Sequence, residues 1–485
     1  MKIRAISAHI GVLLIGEGLL LLPALALALY YGEFACAWAF AGTACLCAAC
    51  GWWLYSRKKA AGGITAREGF VLVSLGWILL TLFGAVPYFA SGAVPNVIDS
   101  LFEAASGFTT TGASVLKDVE NFPKSLLYWR SFSAWAGGLG VLLMMLVLIP
   151  GASRGGEKLH LFRTEPPAQA AGKRRLYLQP AARRLCLSYL AMTTLLALLL
   201  LLGGLPLFDS LLTALSAAGT GGFSVKNAGI AAYNSAYVNG VLAVFMVLCG
   251  VNFSLYASLL RRRVKQAFKN TEFKVYLAVI AITTLLLFGV LYPSCRGDYG
   301  NAALNSFFHA ASALSTTGFY TANFAAWPPL ARMLLVVLML LGGCSGTASG
   351  GFKVSRVVLL CKALRTRLSF MLRPRAVRPV RLNGKPVDDD VVNRAFSFLV
   401  AYLLLCLVSI ELLSLDGFAP ETTATAVIAS LSNMGPGLAG VGPFENYALF
   451  SGFSKLVLIA DMLLGRLEIF PLLLLFSPDT WKRKA

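Results

Sequence analysis

Four short turns along the chain share a glycine at the same position and are rich in oxygen-bearing residues. They read TTTGAS, GTGGFS, STTGFY and SNMGPG, and the shared glycines are Gly112, Gly222, Gly318 and Gly435. A dehydrated alkali cation needs a cage of carbonyl or hydroxyl oxygens. Glycine lets successive carbonyls turn the same way because it tolerates unusual φ and ψ angles. The residue types and their register therefore favour cation coordination by four backbone segments.

Three residues of each turn, ending at the shared glycine, are the candidate ion-binding positions. They are Thr110, Thr111 and Gly112; Thr220, Gly221 and Gly222; Thr316, Thr317 and Gly318; and Asn433, Met434 and Gly435. We interpret the four groups as strands of one selectivity filter. The alternative, tight turns between packed spans, does not explain why four turns share one register.

A semi-apolar stretch precedes every turn. The segments DSLFEAASGFTTTGASV, DSLLTALSAAGTGGFSV, NSFFHAASALSTTGFYT and TTATAVIASLSNMGPGL begin at Asp99, Asp209, Asn305 and Thr422 and align without gaps. Each holds about 11 residues able to form a helix of roughly 16 Å, half the thickness of a bilayer. Recurrence at intervals of about 100 residues marks an internal repeat. We therefore predict four re-entrant half-helices. Asp99, Glu103 and Asp209 would concentrate cations near their entrances or cap helix N-termini.

The composition places these elements in a membrane. Of 485 residues, 57% are hydrophobic and only 13% are charged, about half the charged fraction of a soluble protein. Apolar runs of about 20 residues predict ten crossings, near residues 8–30, 35–55, 70–90, 130–150, 186–206, 238–260, 275–293, 329–348, 396–415 and 448–476. The predicted fold class is an all-α polytopic membrane protein. It has four span–pore-helix–span repeats around a pseudo-fourfold central pore, plus two N-terminal transmembrane helices.

The predicted units divide the whole chain. Residues 1–66 hold the two N-terminal helices, and the pore repeats occupy residues 67–160, 161–265, 266–372 and 373–485. Four half-helices around one axis would point their C-terminal ends, each with about half a negative charge, toward the centre. That field favours a cation.

The net charge of +20 orients the chain in the bilayer. The apolar background argues against a nucleic-acid partner and for a lipid surround. Basic residues collect in alternate connections and at both ends: Lys2 and Arg4; Arg57, Lys58, Lys59 and Arg67; Lys173, Arg174, Arg175, Arg183 and Arg184; Arg261, Arg262, Arg263 and Lys265; the run from Lys362 to Arg394; and Lys482, Arg483 and Lys484. The positive-inside rule makes these connections and both termini cytoplasmic.

Several local sequences resemble the Trk/Ktr/HKT superfamily of cation transporters, and within it the membrane subunits of bacterial Trk potassium uptake systems. They are REGF at 67–70, YWRSF and WAGGLGV within 128–141, LFRTEPP at 161–167, GGCSGTASGGFKVSRV at 342–357, RPRAVRPVRLNGKP at 373–386, SNMGPG at 432–437 and MLLGRLEIFPLL at 462–473. Together with the repeat, they extend the resemblance over nearly the whole chain.

The resemblance implies potassium uptake across the inner membrane, with potassium as the transported ion and no cofactor. It implies selectivity over sodium because Gly112 stands where sodium-favouring members often carry serine. It further implies a homodimer and a cytosolic, TrkA-like regulatory ring that binds nucleotides. The second and fourth filters, with GTGG and NMGP, depart from the regular signature. The coupling ion, whether H⁺, Na⁺ or none, stays open.

The eighth predicted span contains a glycine-rich break. Residues 342–351, GGCSGTASGG, include five glycines, and glycine costs about 1 kcal/mol each in a helix interior. The resemblance implies an intramembrane gate loop here, composed of Gly342, Gly343, Cys344, Ser345, Gly346, Thr347, Ala348, Ser349, Gly350 and Gly351. Small residues that let helices pack closely are the alternative. Lys353 and Arg356, just after the loop, fit cytoplasmic basic residues equally well.

Arg466 lies inside the apolar last span, where a charged side chain normally faces a cavity or a partner. The resemblance implies that it lies in the pore beside the gate loop. Pairing with Asp461 or Glu468 is the alternative.

Three other functions fit the sequence less well. A less selective or sodium-coupled cation transporter of the same superfamily is the nearest. A membrane-embedded enzyme would depend on the cluster Asp388, Asp389 and Asp390, which better fits an acidic helix N-terminus. Regularly spaced arginines of a voltage sensor are missing, and four units fit a channel-like path better than a two-halved rocking transporter.

Overall fold

The structure is a computed structural model that describes residues 3–57, 66–148, 167–260, 269–294, 297–373 and 379–481. Several predictions lie outside these residues. They are the repeat boundaries at 160/161 and 265/266, residues 161–166 of one matched motif and residues 374–378 of another, and the basic residues Lys2, Lys58, Lys59, Arg261, Arg262, Arg263, Lys265, Lys482, Arg483 and Lys484.

The described residues form eighteen α-helices and one small hairpin. Helices α1 (Ile3–Tyr30) and α2 (Phe34–Ser56) precede the repeats. The first unit is α3 (Ala66–Ala90), α4 (Val97–Phe108) and α5 (Lys124–Leu148); the second is α6 (Pro167–Leu202), α7 (Leu207–Gly219), α8 (Ala236–Cys249) and α9 (Phe253–Leu260). The third is α10 (Thr271–Leu291), α11 (Tyr299–Leu314), α12 (Pro329–Leu341) and α13 (Val354–Leu372). The fourth is α14 (Asp389–Leu413), α15 (Pro420–Leu431), α16 (Gly452–Arg466) and α17 (Phe470–Phe476), followed by α18 (Pro478–Trp481). Strands β1 (Arg381–Leu382) and β2 (Lys385–Pro386) pair antiparallel between α13 and α14.

The four predicted half-helices are present as α4, α7, α11 and α15, with 12, 13, 16 and 12 residues. Each lies between the two spans of its unit. The predicted order of span, short helix, turn and span therefore recurs four times in the described chain.

Two of the predicted spans were wrong in one respect. The expectation of continuous helices over residues 238–260 and 448–476 fails, because the sixth span breaks between α8 and α9 and the tenth between α16 and α17. The eighth span breaks where its glycines predict. Among the residues that the structure describes, the second span is unbroken only in the first unit, as α5.

The helices suit a bilayer. Six described helices are long and apolar enough to cross a membrane by length and composition. Large apolar side chains are exposed on their outer faces, among them Trp38 at 79% and Leu285 at 70%. Water would penalise such a surface, whereas lipid does not. Helices α1 and α2 pack closely through small residues, since a Cβ on Gly51 would lie 2.7 Å from the carbonyl oxygen of Gly11.

Candidate cation site

The four short helices end at the filter turns with the same backbone hydrogen bond. In the first unit, the N–H of Thr111 donates to the carbonyl of Ser106 at 2.9 Å. The equivalent pairs are Gly221 to Ser216 (2.8 Å), Thr317 to Ser312 (3.0 Å) and Met434 to Ala429 (2.9 Å). This six-residue closure is a common helix C-terminal motif. It places each filter directly beyond the partially negative end of its helix.

The backbone then follows one path in all four filters. Two residues before each shared glycine, the chain takes a left-handed conformation: Thr110 (φ 55°), Thr220 (58°), Thr316 (54°) and Asn433 (52°). The shared glycines also have positive φ: Gly112 (83°), Gly222 (63°), Gly318 (84°) and Gly435 (91°). Three of the four left-handed positions carry threonine, a β-branched residue that rarely adopts this conformation. Such local strain clusters at functional sites.

The shared glycines bring the four filters into one closed ring. A Cβ on Gly112 would meet the carbonyl of Gly221, one on Gly222 that of Thr317, and one on Gly318 that of Met434. The ring closes because a Cβ on Gly435 would lie 2.7 Å from the carbonyl oxygen of Thr111. Each filter therefore approaches the next through an edge that only glycine leaves open. The twelve candidate ion-binding residues belong to the four segments that form this ring.

Side-chain hydroxyls add to the ring. Thr109 and Thr111 share a hydrogen bond of 2.7 Å between their Oγ1 atoms, and in the third filter Ser315 Oγ and Thr317 Oγ1 share one of the same length. In the fourth, the Asn433 amide donates to Thr111 Oγ1 at 3.1 Å. The Oγ1 of Thr110 and the Oδ1 of Asn433 are buried without a protein partner. Buried acceptors of this kind are expected where an ion or water completes the site.

A buried ion pair supports the first filter. Glu103 is fully buried and accepts hydrogen bonds from the Ser114 hydroxyl (2.6 Å), the Val115 N–H (2.7 Å) and Arg130 Nε (3.1 Å). The expectation that Glu103 concentrates cations at an entrance is therefore wrong, because its charge is paired. An acid and an arginine in apolar segments of one repeat are the sequence signal for this pair.

The two other acids that the sequence places at the entrances have protein partners. Asp99 pairs with Lys455 at 2.6 Å, and Asp209 accepts a hydrogen bond from the Tyr233 hydroxyl at 2.8 Å. Neither caps its helix, since Asn96 caps α4 and α7 begins after Pro206.

The glycine-rich break of the eighth span lies directly against the filters. The chain leaves α12 at Leu341 and enters α13 at Val354. The N–H of Gly350 donates to the Oγ1 of Thr316 at 2.7 Å, and a Cβ on Gly350 would meet the carbonyl of Ser432. The loop over residues 342–351 therefore contacts the third and fourth filters.

The loop also bonds to the break in the sixth span. The N–H of Cys344 donates to the carbonyl of Gly250 at 3.0 Å, and the N–H of Phe253 donates to the carbonyl of Gly346 at 3.2 Å. Glu272 also holds the loop, since it accepts from the N–H of Ser345 at 2.6 Å. The loop is thus an ordered part of the interior.

Arg466 contacts the loop from the last unit. It is 3% exposed and donates to the carbonyl of Ala348 in the loop and, at 3.2 Å, to the carbonyl of Gly137 on α5. The alternative of an ion pair does not hold in the structure. Asp461 accepts from Ser409, and Glu468 pairs with Arg356 at 2.6 Å.

The two basic residues after the loop contact other parts of the protein, which their interpretation as cytoplasmic basic residues does not include. Lys353 is buried and its ammonium group donates to the Ser349 carbonyl within the loop. Arg356 joins α13 to the break of the last span through its pair with Glu468. In that break, Glu468 (φ 57°) and Ile469 (φ 62°) are left-handed, and the Phe470 N–H donates to the Glu468 carbonyl at 2.7 Å. This tight turn is rare and strained. No sequence signal predicts it.

Four span–short-helix–span units that meet in one ring of filters define the chain as a multi-pass membrane protein of the pore-loop type. A family model described as "Cation transport protein", TrkH, matches residues 38–483. The chain therefore belongs to the TrkH family of cation transport proteins. Membership confirms the predicted resemblance and the prediction of a transport protein rather than an enzyme.

Relatives and a solved structure resemble the chain over its whole length. It is 34% identical to the Trk system potassium uptake protein TrkH of Salmonella typhimurium, over 99% of this chain and 100% of that protein. It is 31% identical to the protein of the same name from Vibrio parahaemolyticus, over 99% and 100%. The crystal structure of the potassium transporter TrkH from Vibrio parahaemolyticus superposes with a TM-score of 0.90, at 30% identity, over 99% of this chain and 100% of that one. This match confirms the predicted membrane fold.

Proposed function

We propose that the chain carries potassium into the cell across the bacterial inner membrane, through the ring formed by the four filters. The observation that carries the proposal is the closed ring, in which four strained backbone segments meet at glycines with positive φ. A ring of backbone carbonyls can replace the hydration shell of an alkali cation. The negative ends of four short helices lower the energy of a cation there. Relatives over the full length are named as potassium uptake proteins.

The loop over residues 342–351 acts as the gate, with Arg466 as its main restraint. The loop bonds to the Thr316 hydroxyl, and the buried guanidinium bonds to the Ala348 carbonyl. A positive charge beside the path of a cation opposes its passage, and movement of the loop has to break these bonds first. Arg466 thereby links the fourth unit to the gate of the third.

The chain works in the inner membrane with both termini in the cytoplasm, as the basic connections favour. It acts as a homodimer with a cytosolic, TrkA-like nucleotide-binding ring. The support for these partners is that the relatives are named as parts of a Trk system. The chain divides into an N-terminal helix pair and four pore repeats, at residues 1–66, 67–160, 161–265, 266–372 and 373–485.

Ion flux measured in proteoliposomes tests the function directly. Fluxes of K⁺, Rb⁺, Na⁺ and Li⁺ are compared in vesicles with and without the purified chain. We expect K⁺ and Rb⁺ to exceed Na⁺ and Li⁺. Arg466→Ala is measured in parallel, because it reports on the filter even when the wild-type gate stays closed without its partner. If both proteins are folded and neither carries any cation flux, the proposal is contradicted.

A less selective monovalent cation transporter is the second candidate. It is favoured by the fourth filter, whose sequence differs from the others and where Met434 and Pro436 flank the glycine. Unequal filters give a less uniform carbonyl cage, and equal K⁺ and Na⁺ fluxes would favour this candidate.

A further inference from the structure

In every filter, a side chain of the filter's own short helix bonds to the backbone beyond the shared glycine. In the first, Glu103 accepts from the N–H of Val115 at 2.7 Å. In the second, Ser216 Oγ accepts from the N–H of Phe223 at 2.6 Å. In the third, Ser312 Oγ donates to the carbonyl of Phe319 at 2.7 Å. Each of these filters is therefore braced from behind by its own helix.

In the fourth filter, that bond lies three residues beyond the glycine, where Thr425 Oγ1 accepts from the N–H of Leu438 at 3.0 Å. Ala429 stands at the position of Ser216 and Ser312, six residues before the shared glycine, and has no hydroxyl. Pro436 follows the glycine, so the N–H that Phe223 uses in the second filter does not exist here. The bond that Ser216 makes directly after the glycine of the second filter is therefore not available in this repeat.

Tyr447 reaches the fourth filter from the segment that follows it. Its hydroxyl donates to the carbonyl of Gly435 at 2.6 Å, and its side chain is 3% exposed. The ring packs against Phe102 of the first unit, with centroids 5.5 Å apart. Its own N–H donates to the carbonyl of Ser114 at 2.8 Å, just beyond the first filter. The phenol is thus held in place by the first unit and bonds to the filter glycine of the fourth.

We propose that Tyr447 is a specificity-determining residue of the cation path, because it fixes the orientation of the Gly435 carbonyl. The inference rests on the proposed function. A carbonyl held in place keeps the cage at the size of the larger ion, whereas one free to tilt can close around a smaller ion and coordinate Na⁺. Tyr447 is a positioning residue that acts through Gly435, because it bonds to the carbonyl of the glycine itself, whereas Thr425 bonds three residues further along the chain.

The test is the ratio of K⁺ to Na⁺ flux in proteoliposomes for Tyr447→Phe, which removes the hydroxyl and keeps the ring. We expect the ratio to fall about fivefold, the factor that one ordinary hydrogen bond represents. Tyr233→Phe is the matched control, since Tyr233 also lies in a short turn after its filter, and its hydroxyl bonds to Asp209 rather than to a filter carbonyl. Its ratio should equal that of the wild type.

Three outcomes decide between the proposals. An unchanged ratio in folded Tyr447→Phe, with wild-type K⁺ flux present and selective, overturns the role of Tyr447 and leaves the function intact. Absence of selective K⁺ flux in the wild type and in Arg466→Ala contradicts the proposed function itself. If the Phe variant does not fold, Tyr447→Met also removes the hydroxyl while filling the apolar site. An unchanged ratio in that variant overturns the inference equally.

Discussion

The four filters share one backbone path, whereas the four spans that follow them differ from one another. Each filter has a left-handed residue two positions before a glycine of positive φ. Beyond the filters, α5 is continuous, while the sixth, eighth and tenth spans break at different places and with different sequences. The ring needs equivalent segments because it surrounds one axis. The loop proposed as the gate belongs to one unit, and the spans around it break at three different places, so the symmetry of the ring does not extend to them.

The largest effect is expected from Arg466→Ala, which releases the loop of the third unit. Hydrogen bonds from a charged donor are worth about 2 kcal/mol, so K⁺ flux should rise roughly 30-fold. Proteoliposome flux measures the change. Arg332→Ala, which removes an arginine from a partly exposed pair with Glu421, is the matched control. Unchanged flux in the folded Arg466 variant would mean that the loop is not restrained by this residue.

Gly112→Ser tests the ring itself. A side chain at φ 83° costs about 1–2 kcal/mol, and its Cβ would meet the carbonyl of Gly221. We expect the ratio of K⁺ to Na⁺ flux to fall about tenfold. Gly240→Ser is the control because a Cβ at Gly240 of α8 meets no atom within 4 Å. Equal ratios in the two variants would contradict the assignment of the first filter.

Thr316→Val asks whether a filter residue also holds the loop. The substitution keeps the shape of the side chain and removes the Oγ1 that accepts from the N–H of Gly350. Loss of about 1 kcal/mol should raise K⁺ flux about fivefold. Thr283→Val, whose hydroxyl bonds only within α10, controls for the substitution. A decrease in flux would show that the hydroxyl serves the ion and not the loop.

Glu468→Gln should have the smallest effect. It weakens the pair with Arg356 that joins α13 to the break in the last span, and both side chains are more than a fifth exposed. Such pairs contribute about 0.5 kcal/mol, so flux should change only about twofold. Glu421→Gln, in the exposed pair with Arg332, is the control. A change larger than that of Arg466→Ala would make this pair the principal restraint on the loop.

The sequence predicts the ring well because its requirements are local. The glycine register, the short apolar stretches and the glycine cluster at 342–351 each follow from residue types, and α4, α7, α11 and α15 form where these patterns indicate. The break in the last span is different. Glu468 and Ile469 are poor candidates for left-handed backbone, and the conformation is accompanied by contacts with α13, 112 residues away along the chain. A backbone conformation that depends on contacts between distant segments leaves no signal in the local sequence.

The side chains that hold the filter backbone show the same limit of prediction from sequence. Ser216 and Ser312 occupy equivalent positions, and the alignment of the repeats could have revealed both. Tyr447 bonds to Gly435 from outside the aligned segments, and Glu103 bonds to residues 11 and 12 positions further along the chain. Their roles depend on how the chain returns after the filter, which composition and periodicity do not determine.

The closure of the ring has a consequence for how the protein is made. The contacts that complete it join Thr111 to Asn433, 322 residues apart, and Asp99 to Lys455, 356 residues apart. A nascent chain emerges from the ribosome with its N-terminal units first. Three filters can therefore be in the bilayer before the fourth exists, and a product that stops early lacks one quarter of the cage. Biosynthesis thus yields a closed ring only after the fourth filter has been translated.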